Sequence, residues 1–74
     1  MQRFGEKLRI LRERQGMGVR ELTRAIGYTT HSYISEVEAG KKLPSRKLIA
    51  EVARLFEVSY DQLLNDDIEL SEES

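Results

Sequence analysis

The chain has 74 residues, one histidine and no cysteine, so it forms one small domain and excludes disulfides, thiolate metal sites and multi-histidine metal sites. No apolar run approaches the ~20 residues of a membrane span and no signal peptide is visible, so we expect a cytoplasmic protein. The net charge of −1 hides a segregation: residues 1–64 carry all 12 basic and eight acidic residues, a balance of +4, whereas residues 65–74 carry five acidic residues. This asymmetry indicates either a body that binds a polyanion or an ordinary solvated surface with a frayed terminus.

The first helix is predicted over residues 4–15, because Phe4, Leu8 and Leu11 follow the i, i+4, i+7 spacing of a core-facing stripe. Gly16 can adopt the left-handed conformation that ends a helix. The stripe leaves four basic side chains for the other faces of this helix, at Lys7, Arg9, Arg12 and Arg14.

The second helix is predicted over residues 19–26, with Gly18 as its N-cap and with Leu22 and Ile26 buried one turn apart. Thr23 follows Leu22 on this helix, and its hydroxyl needs a hydrogen-bond partner if it is buried. The carbonyl four residues earlier is a near acceptor, so we expect Thr23 to donate to it.

A third, short helix is predicted within the segment 27–40, which is bracketed by glycines. Thr30 can cap its first turn, and Ile34 and Val37 give it a narrow apolar seam. A helix of about nine residues is not stable alone in water, so other helices must hold it. Tyr33 is compatible with either side of the seam. The seam leaves a polar face that points outward, formed by His31, Ser32, Ser35 and Glu36.

The fourth helix is predicted from Ser45 to Phe56, because Pro44 blocks propagation from the preceding segment and Ser45 can cap the first turn. Glu57 follows this helix, and if it adopts the left-handed conformation the cost is about 1–2 kcal/mol. The apolar residues of this helix are the core face Ile49, Val52, Ala53 and Phe56 and a flanking stripe of Leu48 and Leu55.

A fifth helix is predicted to open at Ser59, because Ser59 and Gln62 have the spacing of a capping box. The remaining residues 65–74 are acidic and contain few apolar side chains, so we expect them to be mostly disordered. Ile68 and Leu70 are the exceptions, and they could dock on a protein partner.

Together, the short motifs of residues 4–64 resemble the phage-repressor and Cro-like (XRE) helix-turn-helix family. The resemblance implies an all-α, compact five-helix domain over residues 1–64, followed by a short acidic tail. One turn residue is extra, because Gly27 and Glu38 are eleven positions apart where ten is commonest in the family. The motifs occur in the family's order: Arg12 and Gly16, Glu21-Leu22, Gly27, Ile34-Ser35, Glu38-Ala-Gly-Lys41, Pro44-Ser45 and Val58-Ser-x-Asp-x-Leu-Leu64.

The resemblance also implies a double-stranded DNA partner. By position, the third helix would contact base edges through His31, Ser32, Tyr33 and Glu36. Without the flanking motifs these would be only exposed polar side chains. Contacts with the DNA backbone are implied for Arg20, Thr30, Ser35, Lys41, Lys42, Arg46 and Lys47.

Two further features carry over from the family by position. Arg12 and Glu38 match a partly buried ion pair that orients the third helix, the alternative being two unrelated surface charges. A homodimer is implied, the alternative being a monomer that pairs only on DNA. Its interface would use Leu55, Tyr60, Gln62 and Leu64.

The function predicted from these observations is a sequence-specific transcriptional regulator of the repressor type, with no cofactor and no metal. An enzyme is not predicted, because the polar residues of one short helix do not converge on a pocket. The alternative is a protein-interaction module on the same scaffold, of the antitoxin or adaptor kind, with the acidic tail as a second possible site for a protein partner.

Overall fold

Five α-helices follow one another in the computed structural model, which describes residues 3–70. No strand occurs in this described range, so the predicted all-α, five-helix fold is confirmed. The first two helices each end one residue earlier than predicted, because Gln15 and Ile26 already leave the helical conformation. The bounds are α1 Phe4–Arg14, α2 Val19–Ala25, α3 His31–Glu38, α4 Arg46–Phe56 and α5 Tyr60–Leu64.

Local signals in the sequence determine where most of these helices begin and end. Thr30, Ser45 and Ser59 each accept a hydrogen bond from a backbone N–H of the helix they precede, at 3.3, 3.1 and 3.1 Å. Gln62 Oε1 accepts the Ser59 N–H in return at 3.1 Å, which completes the predicted capping box. Glu57 ends α4 in the left-handed conformation, with a φ of 54°.

Apolar side chains from all five helices form one core. Thr23 is buried beside it and donates to the Val19 carbonyl at 2.8 Å, as predicted. Leu48 was predicted on a stripe beside the core face of α4, but it is wholly buried. The core contacts a wider part of the surface of α4 than the predicted core face. The core consists of Phe4, Leu8, Leu11, Leu22, Ile26, Ile34, Val37, Leu48, Ile49, Val52, Phe56, Val58 and Leu63.

Gly5 allows α1 to lie directly on the backbone of α3. A Cβ atom at this position would come 2.2 Å from the Val37 carbonyl oxygen and 2.9 Å from that of Glu38. Real carbon and oxygen atoms do not approach so closely, so only glycine fits between the two helices here. This close approach seats the C-terminal turn of α3 on α1.

Lys7 was predicted to lie off the core-facing stripe of α1, yet the residue is wholly buried. Its ammonium donates to the carbonyls of Gln62, Asn65 and Ile68 at 2.6, 2.9 and 2.6 Å. These bonds use all three donors of the ammonium, which is the condition under which a buried lysine is tolerated. The acceptors come from the end of α5 and the chain after it, which a pattern along α1 cannot reveal.

The segment 65–70 differs from the disordered tail that its acidic composition predicts, because it folds back over α1. Arg3 donates from its backbone N–H to Asp66 Oδ1 at 3.0 Å and from its guanidinium to the Asp66 carbonyl at 3.1 Å. The same guanidinium donates to both carboxylate oxygens of Glu69. Composition does not show this ordering, because the neutralising cations come from the other end of the chain.

The two apolar residues of this segment have separate surroundings. Leu70 packs against the chain's own core, whereas Ile68 keeps 37% of its surface exposed. Leu70 is therefore partly used within the domain. The rest of the predicted tail, residues 71–74, lies outside the described residues.

Candidate nucleic-acid interface

The turn between α2 and α3 presents one face of α3 to solvent. Gly27 has a φ of 77°, which lets the chain reverse directly after α2. Ile34 and Val37 are buried against the core, as the predicted seam requires. Of the predicted base-contacting residues, His31 and Ser32 are exposed and Glu36 is half-buried. The predicted backbone contacts near this helix are also exposed: Arg20, Thr30 and Ser35.

Tyr33, another predicted base contact, is half-buried and bonded within the chain. Its ring stacks on that of Tyr28, with 5.7 Å between the ring centroids and 8° between the planes. Its hydroxyl accepts the Ser45 N–H at 2.8 Å and donates to the Leu43 carbonyl at 3.3 Å. Tyr33 therefore ties the loop before α4 to α3, and its hydroxyl is occupied within the chain.

Tyr28 completes this connection from the other side. Its half-buried ring packs on the core, and its hydroxyl hydrogen bonds to Ser45 Oγ at 2.9 Å. The Lys47 ammonium lies 5.2 Å from the ring centroid, within the range of a cation–π contact. The turn, α3 and the start of α4 are thus joined through two aromatic rings.

Arg12 and Glu38 are brought together by the packing of α1 on α3. Arg12 Nε donates to one carboxylate oxygen at 2.9 Å, and a terminal nitrogen donates to the other at 3.0 Å. The side chains keep only 13% and 8% of their surface exposed, and the two bonds to Glu38 raise the pKa of Arg12. The guanidinium also donates to the Met17 carbonyl at 2.8 Å, so it joins the loop before α2 to both helices.

Five exposed basic residues have no carboxylate within 4.0 Å in the described part of the chain, and we call them the unpaired cations. All of them lie between residues 20 and 47, and all are exposed. Two of them precede α3 in the chain and three follow it. The unpaired cations are Arg20, Arg24, Lys41, Arg46 and Lys47.

Lys42 belongs to the same surface but has a neighbour of opposite charge. Its ammonium lies 3.8 Å from a carboxylate oxygen of Glu36, and both side chains are at least one-third exposed. An exposed pair of this length contributes about 0–1 kcal/mol. The predicted base contact at Glu36 and the predicted backbone contact at Lys42 therefore lie side by side, and the pair separates at little cost.

The four predicted dimer-interface residues divide into two groups. Tyr60 and Leu64 line an apolar groove between α4 and α5, and Tyr60 keeps 52% of its surface exposed. Leu55 is partly buried against the chain's own core, and Gln62 is occupied in the capping box. The other residues that line the groove are Pro44, Arg46, Ile49 and Ala50.

Sequence reasoning missed several residues that shape this surface. Gly5 and Lys7 give no signal in the sequence, because their partners lie 32 or more positions away. The Tyr28–Tyr33 stack was also missed, since it spans a turn and breaks the helical spacing that pattern analysis follows. Arg24 could have been noticed, because it lies one helical turn after Arg20 on the same helix.

Other kinds of site find no support in the described residues. Within residues 3–70, no three histidine, cysteine or acidic side chains are grouped closely enough to hold a metal ion. None of the helices in this range is long and apolar enough to cross a membrane.

A family model described as a helix-turn-helix domain matches residues 3–65 of the chain. The protein belongs to this helix-turn-helix family. The family falls in the phage-repressor and Cro-like class, which confirms the resemblance seen in the sequence. No curated protein and no solved structure matches the chain. Membership indicates a DNA-binding regulator in general, of a kind that is typically not an enzyme.

Proposed function

We propose that this helix-turn-helix protein is a sequence-specific regulator that binds double-stranded DNA by inserting α3 into the major groove. Repression by occupying a promoter is the outcome that the resemblance to phage repressors favours. The major groove accepts an α-helix, and each base pair presents a distinct set of hydrogen-bond donors and acceptors there.

The observation that carries the proposal is the placement of the unpaired cations. Arg20 and Arg24 lie with His31 around the first turn of α3, and Lys41 follows its last turn. Lys47 lies next to Tyr28, in the turn before α3, with its ammonium 5.2 Å from the centroid of the ring. Exposed cations at both ends of one polar helix match a duplex, which has a phosphate backbone on each side of the groove.

Base reading is proposed for His31, Ser32 and Glu36, which the polar face of α3 carries. A serine hydroxyl donates or accepts at several bases, and a carboxylate accepts from the amino group of cytosine. Tyr33 has no free hydroxyl for this task, so we propose that it contributes only through its ring edge. None of these residues makes the two-bond contact of arginine with guanine, so each contributes less discrimination than the about 1–3 kcal/mol of such a contact.

Binding as a homodimer is proposed through the groove at Tyr60 and Leu64. One small module buries too little surface for tight specific binding, and a two-fold dimer doubles the contact. Such a dimer would bind half-sites one helical turn apart, about 10–10.5 base pairs. Because this apolar groove could equally receive another protein, it is also what favours the second candidate function, a protein-interaction module.

The test is a titration with random-sequence duplex DNA at several salt concentrations, followed by selection from a randomised pool. A regulator shows an affinity that falls steeply with salt, and the pool yields a two-fold-symmetric site. Ser32→Ala then changes the enriched half-site and leaves the salt dependence unchanged. Absence of binding at low salt contradicts the proposal and favours the interaction module.

A further inference from the structure

The chain between α3 and α4 carries much of the positive charge of the proposed DNA-binding surface. We call residues 41–47 the basic segment; it comprises the loop before α4 and the first two residues of that helix. It holds three of the unpaired cations together with Lys42, and all four side chains are exposed. Ordering a loop and its long side chains on binding costs free energy. The contacts that hold this segment in place therefore affect how well it binds a ligand.

The basic segment is bonded to α3 at both ends of its loop. At the start, its first two N–H groups donate to the Glu36 carbonyl at 2.8 and 3.3 Å. At the end, the Tyr33 hydroxyl accepts the Ser45 N–H at 2.8 Å and donates to the Leu43 carbonyl at 3.3 Å. The first attachment uses a backbone carbonyl, which any residue supplies. The second depends on a single side-chain hydroxyl.

The middle of the loop has little other support. Leu43 keeps 78% of its surface exposed, so its side chain does not anchor the loop in the core, and Pro44 has no N–H to donate. Tyr33, in contrast, is itself held in place, because its ring packs partly on the core and stacks on that of Tyr28. A fixed hydroxyl that both accepts from and donates to the loop backbone restricts where the loop can lie.

We infer that Tyr33 is a positioning residue for DNA binding, whose hydroxyl fixes the basic segment relative to the polar face of α3. The inference rests on the proposed function and gives this hydroxyl a part in specificity that is separate from any base contact. At a selected site, base and phosphate contacts form simultaneously, and a segment already in place makes both without an ordering cost. On random DNA few base contacts form, so the segment can follow the phosphates in many arrangements and its order matters little.

The first experiment measures the attachment of the loop without DNA. Tyr33→Phe keeps the ring, its stacking and its edge, and removes only the hydroxyl. Hydrogen exchange followed by NMR should show the Ser45 amide exchanging about fivefold faster in this variant, the effect of one lost hydrogen bond. The Leu48 amide, which donates to Ser45 Oγ at 3.1 Å, should keep its rate and thereby show that α4 is intact. An unchanged rate at Ser45 refutes the attachment.

The second experiment compares affinities for the selected site and for random duplex DNA. Tyr33→Phe should lose about tenfold in affinity for the selected site, because the loop is then ordered only on binding. Its affinity for random duplex and its salt dependence should equal those of the parent, since no charge is removed. Tyr28→Phe is the control, because the Tyr28 hydroxyl bonds to the Ser45 side chain and not to the loop backbone; a loss of about twofold is expected.

The outcomes separate the possible roles of Tyr33. Equal losses on both duplexes would assign the hydroxyl to folding alone, and a change in the selected bases would make it a base contact; either result refutes the inference. An undiminished affinity of Tyr33→Phe for the selected site, or an equal loss in Tyr28→Phe, refutes it while the proposed function stands. Failure of the parent chain to bind any duplex refutes the proposed function and the inference with it, so the two failures are distinguishable.

Discussion

Two sets of basic residues in this protein have opposite surroundings. The anchoring cations, Arg3, Lys7 and Arg12, lie in or next to α1 and are bonded to groups far away in the chain. The unpaired cations, defined above, lie between residues 20 and 47 and are exposed to solvent. The same residue types therefore stabilise the fold on one side and remain available for a ligand on the other. Net charge and composition cannot distinguish these two uses, because only the position of the partners differs.

The largest effect is expected where an anchoring cation is wholly buried. Lys7→Met removes the donor for three carbonyls. Each buried carbonyl left without a donor costs about 1–3 kcal/mol, but the segment 65–70 can detach and expose these carbonyls to water. We therefore expect the free energy of unfolding to fall by about 3 kcal/mol. Urea denaturation measures it. Arg9→Met is the control, because Arg9 is exposed on the same helix and forms an exposed pair with Glu13, and we expect less than about 1 kcal/mol there. Equal losses in the two variants would contradict the comparison.

A second anchoring cation is only partly buried, so a smaller effect is expected. Arg12→Met leaves the Glu38 carboxylate and the Met17 carbonyl without their donor, and we expect a loss of about 2–3 kcal/mol. The double variant Arg12→Met with Glu38→Leu should recover part of this loss, because no charge is then left unpaired. Thermal or urea unfolding of the four chains of this cycle measures the coupling. A double variant less stable than Arg12→Met would refute the account.

An unpaired cation should affect binding and not folding. Lys41→Gln is expected to change the free energy of unfolding by no more than about 0.5 kcal/mol, because its side chain is exposed and has no carboxylate partner in the described range. The slope of log affinity against log salt on random duplex DNA is expected to become shallower by about 0.9. A clear loss of stability with an unchanged slope would reverse the roles assigned to the two sets.

The smallest effect concerns Arg3 and the acidic segment. The hydrogen bonds from Arg3 hold the pKa of Glu69 below its ordinary value of 4.5. Because the folded pKa is lowered, the contact is fully present above that value and is lost as pH falls through the folded pKa. A titration of the Glu69 carboxyl carbon by NMR should give a midpoint below 4.5, and Arg3→Gln should move it up towards 4.5. An unchanged midpoint in Arg3→Gln would show that the contact does not persist in solution.

Much of the fold could be predicted from local patterns. Thr30, Ser45 and Ser59 cap the helices as predicted, because a cap bond joins residues two or three positions apart. The candidate site was predicted less completely. The outward residues of α3 follow from the seam at Ile34 and Val37, but the part played by Tyr33 depends on a loop ten residues away.

The sequence alone determined the helices, their caps, most of the apolar residues of the core and the family of the protein, since each of these depends on spacing along the chain. Only the tertiary structure decided which cations are anchoring and which are unpaired, because a charge's partner is set by packing between distant segments. The same reason applies to Gly5, whose role exists only where α1 lies on α3. A lysine buried under three carbonyls and a lysine facing solvent have the same letter, and only the chain that folds over one of them makes the difference.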